Sequence, residues 1–366
     1  MKEIRNIISL YQQLPEAEKA ALATVVHVED SSYRRVGARM LVTESGQYVG
    51  GISGGCLEGD ALRRAKTAIL KNTPSVVTYD TRDGDNHQIG VGLGCEGKID
   101  VLFTPLNETD KHPIRVLESL THQRHPTVLM QVVGKDLATI PEGMNGLLYT
   151  VDDAVHLAED YGFHLGDVTY SIELVMDFQR SQSYFILGKA QEHYKVLFEY
   201  IRPETRLIIV GDNYDITPLA HIAHEMGWII EVVGLRRKFN KSVYALANEV
   251  RSYQELSAVS LDASTCVVLM THDYDKDLLA LRHFLPLQPA YLGLLGPRKR
   301  MDKLHQELLP DGLDLREYPH LYSPVGLEVG AETPEEIAVS ILAEMIAAMR
   351  EKSGGMLRDR VGPIHT

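Results

Sequence analysis

The stretch Leu207-Ile-Ile-Val-Gly-Asp-Asn-Tyr-Asp-Ile216 decides the fold of the second half of the chain. Four apolar residues that end at a glycine-containing turn are typical of a short buried strand, and a helical pattern follows over residues 215–226. Further apolar strands are predicted at residues 229–233, 266–270 and 291–295, with helices between or after them. Strands that alternate with helices indicate a parallel, doubly wound sheet.

The turn after this first strand departs from the fingerprint of dinucleotide-binding domains. That fingerprint has glycine at its first, third and sixth positions, whereas here only Gly211 matches and Asn213 and Ile216 stand at the other two. The acidic residue expected after the second strand, where it would bind a ribose, is replaced by Gly234. Asn213 tolerates a left-handed backbone, which would partly compensate for the missing glycine. The sequence therefore predicts a Rossmann-like domain in which NAD(P) binding is not expected.

His272 follows the predicted strand at residues 266–270, so we expect it at the carboxyl edge of the sheet. Ligands of open α/β sheets bind at that edge, where a histidine can act as an acid/base or contact a phosphate. The alternative is a plain turn in which Asp273 caps the next helix.

A second stretch, Gly50-Gly-Ile-Ser-Gly-Gly-Cys-Leu-Glu-Gly-Asp60, stands between a predicted strand and a predicted helix. Such a turn brings free backbone N–H groups to the positive end of a helix dipole, which suits an anion. Cys56 lies at the anion-facing position, and a helix N-terminus favours the thiolate form, so Cys56 can act as a ligand or nucleophile. The alternative is a hairpin followed by a buried cysteine.

The remaining patterns in the N-terminal half indicate an α+β domain over residues 1–200. A Rossmann-like domain is predicted over residues 201–366, with a linker near its start at residues 203–205. Helices are predicted at residues 2–13, 114–122 and 191–200, and strands at 21–28, 40–43, 47–49, 76–79, 99–103, 127–133, 147–151, 172–176 and 184–187. A second glycine-rich stretch at residues 90–97 includes Cys95. It is either a mobile surface loop or a place where the backbone approaches a ligand closely.

Composition excludes several classes of protein. The formal net charge is −13, which argues against a nucleic-acid or membrane-surface partner, so any anion site must be local. No run of about 18 apolar residues predicts a membrane span. The three cysteines, Cys56, Cys95 and Cys266, are far apart and indicate neither a disulfide framework nor a metal site. These features fit a cytoplasmic protein.

Several segments together resemble the xanthine dehydrogenase accessory family of the XdhC/CoxI type. In the N-terminal half the resemblance rests on the Gly50–Asp60 turn and on residues 34–39 and 94–97. In the C-terminal half it rests on residues 271–274, 291–298 and 324–336. The resemblance implies an accessory protein, rather than a stand-alone enzyme, that transiently binds molybdenum cofactor (molybdopterin). It implies help with sulfuration and insertion of this cofactor into a xanthine dehydrogenase-type apoenzyme, with a cysteine desulfurase as sulfur donor and a homodimeric state.

The resemblance also implies roles for individual residues. Cys56 would meet the molybdenum or carry sulfur, and Glu58 would hold the loop or manage a proton. The remaining residues expected to contact the cofactor are Arg34, Arg39, Ser53, Gly54, Gly55, Cys95, Gly211, Asn213 and His272. Two departures stand out: Glu96 where relatives often have glycine, and Asp212-Asn213 where they often have Ala-Gly. Two other functions stay open, an NAD(P)-binding oxidoreductase and a non-catalytic docking module for the dehydrogenase.

Overall fold

A computed structural model describes residues 1–30, 32–80, 97–107, 112–135 and 147–361. The chain forms two compact units, Met1–Pro203 and Glu204–Thr366. None of the helices in these described ranges is long and apolar enough to cross a membrane.

The first unit contains two antiparallel sheets and five α-helices within the described residues. Its strands are β1 (Ala20–Asp30), β2 (Arg39–Thr43), β3 (Tyr48–Gly50), β4 (Ser75–Asp80), β5 (Gly97–Pro105), β6 (Thr127–Lys135), β7 (Leu148–Tyr149), β8 (Gln182–Leu187) and β9 (His193–Ile201). Its helices are α1 (Lys2–Gln12), α2 (Glu58–Lys71), α3 (Pro113–Thr121), α4 (Ala154–Tyr161) and α5 (Leu165–Phe178). One sheet has the order β3-β2-β1-β5-β4 and the other β7-β6-β9-β8.

These elements form four layers, in the order helix, sheet, sheet, helix. Strand β1 is buried on both faces because its alternate side chains point to different layers. Ala23 and Val25 pack with Ala61 and Ala65 of α2, and the small alanines let the helix approach the sheet closely. The opposite face, which includes Val26, packs against the four-stranded sheet. Helices α4 and α5 cover the outer face of that second sheet.

Two sequence-based predictions in this unit were wrong. Residues 172–176 were expected to form a strand but belong to α5, where Val168, Ile172 and Val175 follow helical spacing on the buried face. Residues 191–200 were expected to be helical but form β9, which pairs antiparallel with both β6 and β8. In each case the tertiary pairing, which a local pattern does not contain, decides the element. The predicted β2–β3 hairpin and helix α2 are confirmed.

The second unit is a doubly wound parallel sheet, as predicted. Its strands are β10 (Arg206–Val210), β11 (Ile229–Val233), β12 (Glu249–Arg251), β13 (Thr265–Leu269), β14 (Tyr291–Leu294) and β15 (Leu321–Tyr322). Its helices are α6 (Ile216–Glu225), α7 (Lys241–Leu246), α8 (Tyr274–Phe284), α9 (Arg298–Leu308) and α10 (Pro334–Met349). The order β12-β11-β10-β13-β14-β15, with every pair parallel, is 3-2-1-4-5-6 when the strands are renumbered from one. This is the strand order of dinucleotide-binding Rossmann domains.

Both faces of the parallel sheet are covered. Ile208 and Val210 of β10 lie in the core formed with α8 and α9, whereas Leu207 and Ile209 lie in the core formed with α6 and α10. Helix α10 begins with the predicted capping box, in which Thr333 and Glu336 exchange side-chain to backbone hydrogen bonds.

Candidate functional site

The turn between β3 and α2 folds around one hydroxyl group. The backbone N–H groups of Gly55, Cys56 and Leu57 all donate to Ser53 Oγ, over 3.2, 3.1 and 3.1 Å. Three donors that converge on one oxygen are the arrangement expected of an anion-binding turn at a helix N-terminus. In this structure the hydroxyl of Ser53 accepts those hydrogen bonds itself.

Glu58, in the first turn of α2, fixes Ser53 in this position. Its carboxylate accepts a hydrogen bond from Ser53 Oγ at 2.6 Å and another from Ser53 N at 2.9 Å. Burial raises the pKa of Glu58, but the hydrogen bonds from Ser53 and from the helix backbone outweigh it and leave the pKa below its usual value. Glu58 therefore remains ionised near neutral pH and holds the loop, one of the two roles expected for it.

Cys56 projects from this turn into solvent. Its side chain is exposed, as are Gly54 and Gly55 beside it. Gly55 has a φ of +111°, and a Cβ added there would meet nothing within 4 Å. The ring of Tyr33 lies against Gly54, with its Cγ 3.2 Å from the position of an added Cβ. The thiol thus stands on an open, glycine-lined surface with an aromatic ring at one side.

The two predicted arginines differ in accessibility. Arg34 pairs with Glu3 of α1 and is partly exposed. Arg39 is buried: its guanidinium donates to Glu199 Oε1 at 2.9 Å and to Gly37 O at 2.8 Å. Because the carboxylate of Glu199 already matches its charge, Arg39 is placed to join β2 to β9 rather than to face the turn.

The second cysteine of the described residues, Cys266, is not exposed. Cys266 is buried in β13, and burial, with a smaller effect of Asp262, raises the pKa of its thiol to about 12. It therefore stays protonated at neutral pH. Cys95 and most of the second glycine-rich stretch lie outside the described residues. Within the described ranges no group of three or more His, Cys, Asp and Glu side chains could hold a metal ion.

Three further predicted residues lie at the carboxyl edge of the parallel sheet. Gly211 and Asn213 follow β10, and His272 follows β13 with a left-handed φ of +53°. The ring nitrogen Nε2 of His272 lies 2.6 Å from Asp215 Oδ2, just before α6. Asp273 accepts from the backbone N–H groups at the start of α8, so the helix cap proposed as the alternative is present beside the histidine.

Two protein-family models match separate parts of this chain. The XdhC and CoxI family matches residues 14–80, and the XdhC Rossmann domain matches residues 207–345. A Bacillus subtilis protein described as a probable subunit of xanthine dehydrogenase is 31% identical over 338 residues, which is 91% of this chain and 94% of that protein. The chain belongs to the XdhC and CoxI family. The resemblance inferred from the sequence is thus confirmed.

Two more proteins are similar to this chain over almost its whole length. The molybdenum cofactor insertion chaperone PaoD of Escherichia coli is 24% identical over 344 residues, 93% of this chain and 86% of PaoD. A crystal structure described as a xanthine dehydrogenase from Bacillus halodurans matches with a TM-score of 0.69 at 26% identity and covers 98% of both chains.

The sequence analysis assigned no role to two residues in the loop that contains Arg34, namely Tyr33 and Arg35. Tyr33 was not singled out because an isolated tyrosine carries no motif, although it stands next to Arg34. Arg35, also in this loop, is exposed. Partial desolvation of its guanidinium lowers its pKa, and the charge of Arg180 adds a smaller effect in the same direction. The only sequence signal for both residues was their position in the same short loop.

Proposed function

We propose that this protein is an accessory factor that binds molybdenum cofactor as cargo and delivers it to a xanthine dehydrogenase-type apoenzyme. The observation that carries the proposal is the exposed Cys56 thiol on the turn built by Ser53 and Glu58. The family membership and the described function of PaoD support the same cargo. Assistance with sulfuration, with a cysteine desulfurase as the sulfur source, is the finer part of this proposal.

The residues of the turn fit such a cargo in part. An exposed thiol is a soft ligand, which suits a metal held by sulfur atoms. The N–H groups of Gly55, Cys56 and Leu57 suit the anionic end of the cofactor, provided that the Ser53 hydroxyl turns away from them. Arg39, which was expected to contact the cofactor, does not fit a role in neutralising its charge, because its guanidinium is buried with Glu199. The partly exposed Arg34 is the better candidate.

The proposed partners and setting follow from the same role. The apoenzyme receives the cargo, the protein works in the cytoplasm as a homodimer, and its action is that of a chaperone rather than of a stand-alone enzyme. Bound cofactor supplies the molybdenum centre of the recipient enzyme. The chain itself binds the cargo, orients it through the turn before α2 and releases it.

Retention of the cofactor by purified protein tests this proposal. We expect Cys56→Ala to weaken retention by about tenfold or more, since about 1.4 kcal/mol of lost binding free energy gives that factor. Cys266→Ala is the matched control, because that thiol is buried within the core of the parallel sheet. Retention is measured by molybdenum content after gel filtration, and delivery by the activity gained by a xanthine dehydrogenase apoenzyme.

The same measurements separate the proposal from a docking module. If the wild-type protein retains no cofactor but still forms a complex with the apoenzyme, and Cys56→Ala leaves that complex intact, the chain docks without carrying cargo. If Cys56→Ala retains and delivers cofactor as well as the wild type does, Cys56 has no part in the mechanism.

A further inference from the structure

The second unit has the strand order of a dinucleotide-binding domain, so its fold alone implies a site for NAD(P). In that fold the dinucleotide lies across the carboxyl ends of the strands at the switch point, with the pyrophosphate at the start of the first helix. Here that places the adenosine half over the ends of β10 and β11 and the pyrophosphate at the start of α6. The side chains at these positions can therefore be tested for fit.

A buried carboxylate bridges the loops that follow β10 and β11. Asp212 accepts a hydrogen bond from Leu235 N at 3.1 Å and one from Lys238 Nζ at 2.7 Å, and Lys276 Nζ lies 3.9 Å away. Burial raises the pKa of Asp212, but the bonds from Lys238 and Leu235 outweigh it, and its pKa is lowered. The protein's own anion thus fills the crevice between these two strand ends.

The position of the acidic residue that would bind a ribose is also too crowded for a side chain. It falls at Gly234, where an added Cβ would lie 2.7 Å from Phe239 Cζ, 2.9 Å from Asp212 Cβ and 2.9 Å from Gly211 O. Contacts under 3 Å exclude even one carbon atom without rearrangement. An acidic side chain that could bind a ribose therefore has no room at position 234 while Asp212 and Phe239 hold these positions.

The turn itself is built for packing rather than for a pyrophosphate. A Cβ on Gly211 would lie 2.4 Å from Met270 O, so glycine is required there by the approach of the chain after β13. Asn213 does not adopt the left-handed backbone that was expected to compensate for the missing glycine. Ile216, at the sixth position of the fingerprint, is the first residue of α6, and its side chain is buried in the core between α6 and the sheet.

We infer that the second unit has exchanged its dinucleotide site for an internal clasp, formed by Asp212, Lys238 and Phe239. The clasp occupies the adenosine half of the crevice and joins the loops after β10 and β11. The unit therefore takes no part in NAD(P)-dependent redox chemistry.

Titration of the full-length protein with NADH, NADPH and AMP by isothermal calorimetry tests the inference. We expect no saturable binding of any of the three up to about 1 mM, the weakest affinity that such a titration usefully resolves. No molybdenum cofactor is present in this experiment, so its result is independent of the proposed chaperone function.

The variant Asn213→Trp locates any binding that is seen, because its indole would block the start of α6. Saturable NADH binding below about 1 mM that this variant weakens by about tenfold or more would overturn the inference. NADH binding that Asn213→Trp leaves unchanged lies elsewhere on the molecule, and the clasp then stands as described.

Discussion

At the residue scale, the turn before α2 depends on two glycines for different reasons. Gly50 has a φ of +82°, and an added Cβ would lie 2.2 Å from Arg39 O, which itself accepts a hydrogen bond from Gly51 N at 2.9 Å. Gly55 also has a positive φ, of +111°, but its missing Cβ faces open space. A substitution would strain the backbone at both positions, whereas it would also cause a steric clash only at Gly50.

We therefore predict that Gly50→Ala lowers the free energy of unfolding by about 3 kcal/mol, from strain plus the clash with β2. Gly55→Ala is the matched variant, and strain alone should cost about 1–2 kcal/mol there. Urea denaturation followed by circular dichroism measures both values. Equal losses of unfolding free energy in the two variants would show that the clash with Arg39 O does not contribute to the destabilisation.

The residues of this turn could be predicted from the sequence because they are neighbours along the chain. Glycines, a serine and a glutamate ahead of a helix specify their own hydrogen bonds locally, as Ser53 and Glu58 show. The partner of Arg39 could not be predicted in this way. Glu199 is 160 positions further along, and only the packing of two sheets brings it near.

At the scale of elements, β9 shows where local patterns fail. Its residues were predicted to form a polar helix, yet Lys195 and Glu199 are both buried in a strand. Lys195 Nζ lies 3.1 Å from Asp100 Oδ2 of β5, and Glu199 pairs with Arg39 of β2. From the local sequence, charged residues in a strand are predicted to be exposed, because their partners on another sheet are not known.

The pair between β2 and β9 yields a prediction about how the sheets are held together. Arg39→Met or Glu199→Met alone should lower the free energy of unfolding by about 3–5 kcal/mol, because each leaves one buried charge without its partner. The double variant Arg39→Met/Glu199→Met should recover most of that loss. A double-mutant cycle from urea denaturation gives the coupling energy. Additive losses would mean that the two side chains act independently.

At the scale of the molecule, the fold of the second unit could be predicted from the sequence more fully than the fold of the first. In the second unit five of the six strands are followed by an α-helix, and most strands that are consecutive in sequence are adjacent in the sheet, so the parallel sheet could be predicted. In the first unit β1 pairs with β5 and β6 pairs with β9 across long connections. Its four layers depend on those distant pairings, which no local pattern records.

The same contrast predicts how the chain divides when it is cut. Residues 204–366 contain a complete parallel sheet with a core on each face, so we expect this fragment to fold alone. Its urea unfolding should be cooperative, with a smaller m-value than that of the whole chain because less surface becomes exposed. Residues 1–203, with both antiparallel sheets and the turn that presents Cys56, should behave likewise, and should retain cofactor to the extent proposed for the full-length protein. A fragment that unfolds without a cooperative transition would show that its core needs the other unit, and loss of cofactor retention in a folded 1–203 fragment would show that binding extends beyond the turn.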